Sequence, residues 1–358
     1  MTMATAAAPA VALPPIDFAR ASTKKTNPFT VFNFSSGAEQ VEQLNSQGYM
    51  EKINLVGGFT ITETTMATPG ADNPWALLRR IRLTDSQGGV IYSCTGYNSF
   101  LHSKFLMGHR NWIDGSTDTS IFVGTAFDDA IVPTLLWEIP VANNERDLIG
   151  LMPNQSDAFK YQLALQWATY AQLATTPGDM TIVGAVNPYY SYFTIPTPVA
   201  PSGAPQQTTP PFYGVVHQVV DTTQSFGTAP GVNQRYPLQV GQVYRGLILV
   251  VRDAGVRENG LTAVRFKYGD DVTLFSMSGQ DLRSENFLRN GRDLPTGVYV
   301  IDFMSDSGLR PGLDYRRQYV DTRQMAQAWL ELDFTGIAGA GTVDVVKDVF
   351  IAPNGVTF

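Results

Sequence analysis

At 358 residues the chain is long enough for two cores of ordinary size, each burying most of its apolar surface. A formal net charge of -7 without a basic tract supplies no counterion-release term for gripping a phosphate backbone, so direct wrapping of nucleic acid is not expected. The single cysteine, Cys94, excludes an internal disulfide framework, and no apolar run reaches the length of a membrane span.

Scarce charge with abundant Thr, Gly, Pro and aromatic residues is a β-rich composition. Residues 1–27 lack a periodic apolar pattern and carry Pro9, Pro14, Pro15 and the basic pair Lys24-Lys25. They read as a flexible arm that orders against a partner, or as a frayed terminus. Met1 to Leu13 is Ala-rich but holds Pro9 and no leading basic residue, which makes a poor signal peptide. From Pro28 the alternation Phe29 to Phe34 predicts a strand, followed by a polar connection with Gly37, Glu39 and Glu42. Ile53 to Thr62 predicts another, whose central Gly57-Gly58 signals a bulge or a close backbone approach. Trp75 to Leu83 and Val90 to Thr95 flank the turn residues Asp85 to Gly89 as a hairpin. Cys94 lies in its apolar half and reads as a small buried hydrophobe. Tyr97 to Met107 carries a helical stripe that Gly108 ends. Thr119 to Phe127, Val132 to Val141, Phe159 to Trp167 and Met180 to Val186 are further strands.

Residues 187–211 hold seven prolines, at 188, 196, 198, 201, 205, 210 and 211. Proline lacks the ladder donor, so this segment is expected to be an extended linker excluded from any central strand, with Tyr189, Tyr190, Tyr192 and Phe193 pinning it to a domain surface. Strands then follow over Phe212 to Val220, Val243 to Arg252, Thr262 to Tyr268 and Val272 to Met277. Ser278 with Asp281 resembles a capping box and opens a helix that Gly291 stops. Val298 to Phe303, Ala328 to Phe334 and Thr342 to Ile351 complete the set.

The stretch Gln47 to Gly96 is echoed by Gln234 to Gly279. Gln47-Gly-Tyr49 is matched by Gln234-Arg-Tyr236, and Gly58-Phe-Thr-Ile61 by Gly246-Leu-Ile-Leu249. The hairpin Arg80 to Gly96 is matched by Val264 to Gly279, and Pro28-Phe29 by Pro211-Phe212. Tyr161 to Trp167 with Gly178 to Val183 is matched by Ala328 to Phe334 with Gly341 to Val346. A period of this size is that of a domain, not of a solenoid repeat. The expected fold is all-β, two tandem jelly rolls of about eight strands, each with a short helix after the same hairpin. Expected boundaries are 1–27 for the arm, 28–186 for the first domain, 187–211 for the linker and 212–358 for the second. The alternative is that any two all-β stretches look alike at this level.

No catalytic, cofactor-binding or metal-ligating set emerges. His102, His109 and His217 have no carboxylate or cysteine at ligand spacing and read as solvated or capping residues. The His-x-His pair of the double-cupin enzymes, a Gly-x-Ser-x-Gly elbow, a Walker loop and a dinucleotide fingerprint are all missing. Asp128-Asp129 and Asp270-Asp271 could serve glycoside hydrolysis if suitably spaced, but the second pair falls in a hairpin turn, where Asp is favoured locally. Arg79-Arg80 and Arg316-Arg317 suggest anion sites, yet Arg80 and Arg82 alternate along a strand as its polar face.

The paired β domains, the helix after each hairpin, the Pro-rich crossover and the arm resemble the double jelly-roll major capsid proteins of the tectivirus and adenovirus lineage. Ile53 to Thr62, Trp75 to Met107, Leu247 to Arg252, Leu261 to Asn290, Trp329 to Phe334 and Val343 to Ile351 carry the resemblance, and the length matches bacteriophage-like members. The resemblance implies a structural subunit of the virion, not an enzyme and without a cofactor, assembled in the host cytoplasm. Homotrimeric, pseudo-hexameric capsomers would tile an icosahedral shell beside minor capsid or vertex proteins, and the arm would reach beneath the capsomer, toward neighbours or toward an internal membrane. The alternative is a tandem jelly-roll protein that binds or hydrolyses glycans, for which Trp112, Asp114, Asp118 and Asp128-Asp129 form the one suggestive stretch.

Overall fold

A computed structural model of the chain describes residues 14–62, 70, 72–107, 131–143, 148–174, 180–269, 272–291, 293–303 and 319–352. Its main strands fall into two sets of eight. In the first domain they are Lys24–Pro28 (continued by Phe32–Asn33), Glu39–Gln43, Tyr49–Thr62, Leu78–Thr84, Val90–Cys94, Ile131–Pro140, Gln162–Trp167 and Thr181–Phe193. In the second they are Val216–Thr228, Gln234–Leu238, Val243–Asp253, Leu261–Tyr268, Val272–Ser278, Val298–Asp302, Ala328–Phe334 and Ala340–Ile351. Taken in chain order, the strands of each domain form one sheet in the order first, eighth, third, sixth and another in the order second, seventh, fourth, fifth. This arrangement, shared by both domains, is the jelly roll.

The local chemistry behind these elements repeats too. Asp85 Oδ1 accepts the backbone N–H groups of Gln87 (2.8 Å) and Gly89 (2.7 Å), closing the first hairpin. After each hairpin a hydroxyl caps a helix: Thr95 accepts from Asn98 N–H at 3.1 Å and Ser278 from Asp281 N–H at 3.0 Å. The next residue is glycine in both places, and a Cβ on Gly96 or Gly279 would run into the carbonyl oxygen of Leu78 or Leu261, where the fourth strand begins. The first helix, Gly96–Leu101, passes into a π-helical turn over His102–Leu106, and the second spans Gly279–Asn290. The expected bulge at Gly57-Gly58 is present: pairing with Ile131–Pro140 slips between Gly57 and Phe59.

Four expectations need correction. The segment 1–27 is not a loose arm from residue 14 onward. Phe18 is fully buried against Tyr49 and Phe193, Gln207 N–H donates to Ile16 O (3.0 Å), and Lys24–Pro28 pairs with Tyr189–Phe193. The proline-bearing segment is not wholly a linker, because Thr181–Phe193 runs through Asn187 and Pro188 as a central strand. Pro188 is tolerated because its backbone faces Phe29, whose N–H donates to Pro188 O at 2.9 Å, in the break between Lys24–Pro28 and Phe32–Asn33 where no continuous ladder needs a donor. The polar connection around Glu39 and Glu42 is itself a strand; as a sheet edge it exposes alternate residues, so it carries little apolar signal. Finally, Tyr49 opens a third strand whereas Tyr236 lies in a second strand, so that one correspondence of the repeat fails.

Candidate functional site

Third strand Val243–Asp253 is buried on both faces for nine consecutive residues, Val243 to Val251. Side chains alternate across a strand, so such a run requires cover on both sides. Leu247, Leu249 and Val251, with Tyr299, Ile301, Val343 and Val345, point into the second domain's own core. Ile248 and Val250, with Val219, Val298, Val300 and Val346, join the core of the first domain. Each fully buried aliphatic side chain contributes about 1.5–3 kcal/mol. The two cores therefore share a wall, and the seam between the domains is built as an interior.

The backbone crosses the seam as well. Fifth strand Val90–Cys94 of the first domain pairs in parallel with first strand Val216–Thr228 of the second, Tyr92 opposite Val219 and Ser93 opposite Val220. This pairing joins sheets of both domains into one of ten strands. Cys94 is fully buried there beside Val219, as a small hydrophobe.

Three polar clusters fix the register of the seam. In the first, Asp221 receives the Arg80 guanidinium, the Thr95 backbone N–H (2.8 Å) and the Asn98 side-chain amide (2.7 Å), so one second-domain carboxylate grips the start of the first-domain helix. In the second, Arg252 donates to Asp72 at 2.8 Å, Arg257 lies 3.2 Å from the same carboxylate, and Arg257 also donates to the Tyr97 hydroxyl at 2.9 Å.

The third cluster is wholly buried. Asp348 Oδ2 lies 2.9 Å from His102 Nε2 and also accepts from Arg245, while Oδ1 lies 2.7 Å from His217 Nε2. His102 comes from the π-helical turn of the first domain; the other three come from strands of the second. The pairing slip between Tyr244 and Gly246 is what turns Arg245 to this side, where it also donates to Leu106 O at 3.2 Å. Gly246 leaves the space that Leu106 fills: a Cβ there would sit 2.8 Å from Leu106 Cδ2.

Burial alone would raise the carboxyl of Asp348, but the Arg245 charge and the two imidazole donors hold it well below the usual carboxylate range. An ionised carboxylate only accepts, so both imidazoles present an Nε2–H to it. Burial holds His102 below its ordinary value, partly offset by Asp348. Asp348 and Arg245 cancel, and His102 rests neutral.

The expectation that His102 and His217 are solvated or capping residues is therefore overturned for these two, both fully buried. Arg80 and Arg82 do stand on a strand's polar face, paired with Asp221 and Glu39. His109, Trp112, Asp114, Asp118, Asp128-Asp129, Asp270-Asp271, Arg316-Arg317, Gly108 and the strand expected over Thr119 to Phe127 lie outside the described residues. Among the described residues no group of three His, Cys, Asp or Glu side chains is arranged to hold a metal. The buried cluster has a guanidinium where a cation would have to sit. A usable sequence signal existed in Arg245, a charge set inside the run Val243 to Val251 that is otherwise without charge.

No protein-family model matches the sequence, and no curated protein does. Solved structures do match. A chain in the atomic structure of Sulfolobus Turreted Icosahedral Virus aligns at TM-score 0.68 and 16% identity, covering 92% of this chain and 91% of that one. The PBCV-1 virus capsid aligns at TM-score 0.57 and 12% identity, covering 92% and 93%. The major capsid protein from bacteriophage PM2 aligns at TM-score 0.53 and 11% identity, covering 94% and 100%. Two jelly rolls with shared strand order, joined through a common wall, give this chain the double jelly-roll fold of those capsid structures.

Proposed function

We propose that the chain is a viral major capsid protein, a structural subunit of the virion that forms homotrimeric, pseudo-hexameric capsomers in an icosahedral shell. The observation that carries the reading is the seam: two similar domains are fused through a shared core and a continuous sheet, so one chain presents two fixed, similar wedges. Three such chains supply six wedges to a hexagonal position, and a rigid seam is what tiling requires. A glycan-hydrolysing protein would instead need a cleft with paired carboxylates, and Asp72, Asp221 and Asp348 all answer to partners inside the fold. Similarity over nearly the full length to chains of virus capsids supports the same reading.

The direct test is the native mass of purified protein by light scattering, followed by electron microscopy of assembled particles. A homotrimer that builds shells is expected; a stable monomer that binds glycans on an array would overturn the proposal. Residues 1–13 are proposed to act in particle assembly, toward neighbouring capsomers, minor capsid proteins or an enclosed membrane. Deleting 2–13, which spares the buried Phe18 and the strand Lys24–Pro28, is expected to impair particles while leaving trimers intact.

A further inference from the structure

We propose that a cavity between the two domains of one chain binds a small anion rich in acceptor oxygens, of the phosphate or polycarboxylate class. The cavity, of about 220 Å³, opens where Asp72, Arg79, Thr95 and Gln172 of the first domain face Arg252 and Asp344 of the second. That volume is well beyond what a single water needs and below the range of about 300–1,000 Å³ common for drug-sized ligands, so a compact solute suits it.

The side-chain acceptors in this wall already have partners. Arg252 donates through Nη2 to Asp72 Oδ2 at 2.8 Å and through Nε to Asp344 Oδ2 at 3.2 Å. Arg257 Nε lies 3.2 Å from the other Asp72 oxygen, and the Thr223 hydroxyl donates to Asp344 Oδ1 at 2.5 Å. Gln172 Oε1 accepts the Thr169 N–H at 3.0 Å, and Thr95 Oγ1 accepts the Asn98 N–H at 3.1 Å. Donors, by contrast, are left over. Among the described residues the Arg79 guanidinium has no ion pair or hydrogen bond, and Arg252 Nη1 and the Gln172 side-chain NH2 donate to nothing. Arg252 and Arg257 are balanced by Asp72 and Asp344, so Arg79 leaves the cavity with positive charge in excess. Spare donors, satisfied acceptors and a surplus cation together select an anionic ligand made mostly of oxygen acceptors.

Local backbone geometry explains how Arg79 comes to line this space. Leu78 stands opposite Trp167 and Arg80 opposite Gln166, which leaves Arg79 as the extra residue of a bulge with no partner across the ladder. Bulges interrupt pairing and re-aim a side chain. The neighbours on either side are committed, Leu78 to the core and Arg80 to Asp221, whereas the re-aimed guanidinium is free. Its planar fork matches the paired oxygens of a carboxylate or phosphate. An anion held by Arg79 and Arg252 would touch both domains and clamp the seam.

The test is isothermal titration of the full chain with citrate, and separately with inorganic phosphate, at an ionic strength held constant with sodium chloride. Saturable binding of at least one of the two is expected. Arg79→Gln is expected to weaken it about tenfold or more, the value of a hydrogen bond to a charged group, and to melt like the parent when no anion is added. Arg82→Gln changes another arginine of the same strand, one paired with Glu39, and is expected to bind like the parent. In the unmutated protein the anion that binds is expected to shield Arg79, and not Arg82, from phenylglyoxal, as read by mass spectrometry. No saturable binding of either anion, undiminished binding by Arg79→Gln, or equal shielding of both arginines overturns the site. A single chain contains every group involved, so a protein that proves monomeric would overturn the capsomer reading and leave this test intact.

Discussion

Asp348 carries the most concentrated consequence of any single residue. Removing one member of a buried, hydrogen-bonded charge group strands the others, typically at about 3–5 kcal/mol. Asp348→Ala, which leaves Arg245 charged and unpaired in the interior, is expected to lower stability by about that amount in chemical denaturation. The same cluster sets a pH dependence. His102 has its folded value below the unfolded one, so its contribution is full above about pH 6.5 and is lost as pH falls toward the folded value. Asp348, also depressed, adds its loss only in strong acid, below about pH 4. Denaturation midpoints between pH 7 and 5 are expected to fall, with a shallower slope in His102→Gln; equal slopes would remove His102 as the source. Arg245 stood out as a charge in an apolar run, but its partners were not legible in the sequence. His102 lies 246 positions from Asp348, and spacing rules see only neighbours.

Among the elements, the two helices that follow the hairpins show how one local signal leads to different surroundings. Ser278→Ala removes the cap from an exposed helix and is expected to lower the thermal midpoint by an amount equal to about 1 kcal/mol. Gly96→Ala and Gly279→Ala should both be more damaging, on the order of 2–3 kcal/mol, because the added methyl meets backbone oxygen and not a yielding side chain. Equal tolerance of alanine at both glycines would contradict the close packing of helix on fourth strand. The caps, hairpins and glycine positions could be read from sequence because each is governed by residues within a few positions. The second strands, Glu39–Gln43 and Gln234–Leu238, could not: at a sheet edge, pairing supplies order without demanding an apolar pattern. Pro188 misled for a related reason, since whether a missing donor matters depends on what stands opposite.

For the whole molecule, the shared wall argues that the two domains unfold together. Calorimetry of the full chain is expected to show one cooperative transition, and two separated transitions would contradict a common core. The second domain expressed alone would expose Ile248, Val250, Val298, Val300 and Val346 on one face and is expected to bind a hydrophobic dye or aggregate.

Sequence by itself determined the all-β class, the duplication, the two hairpin-helix units and the absence of a disulfide framework, because those follow from composition, periodicity and turn chemistry along a short length of chain. Tertiary structure alone decided which strand faces are buried twice, where Arg245, His102, His217 and Asp348 meet, and how the fifth strand of one domain joins the first strand of the other. Alternation reveals that a side is covered but not by what, and a buried charge finds its partner only when the chain has brought distant strands together.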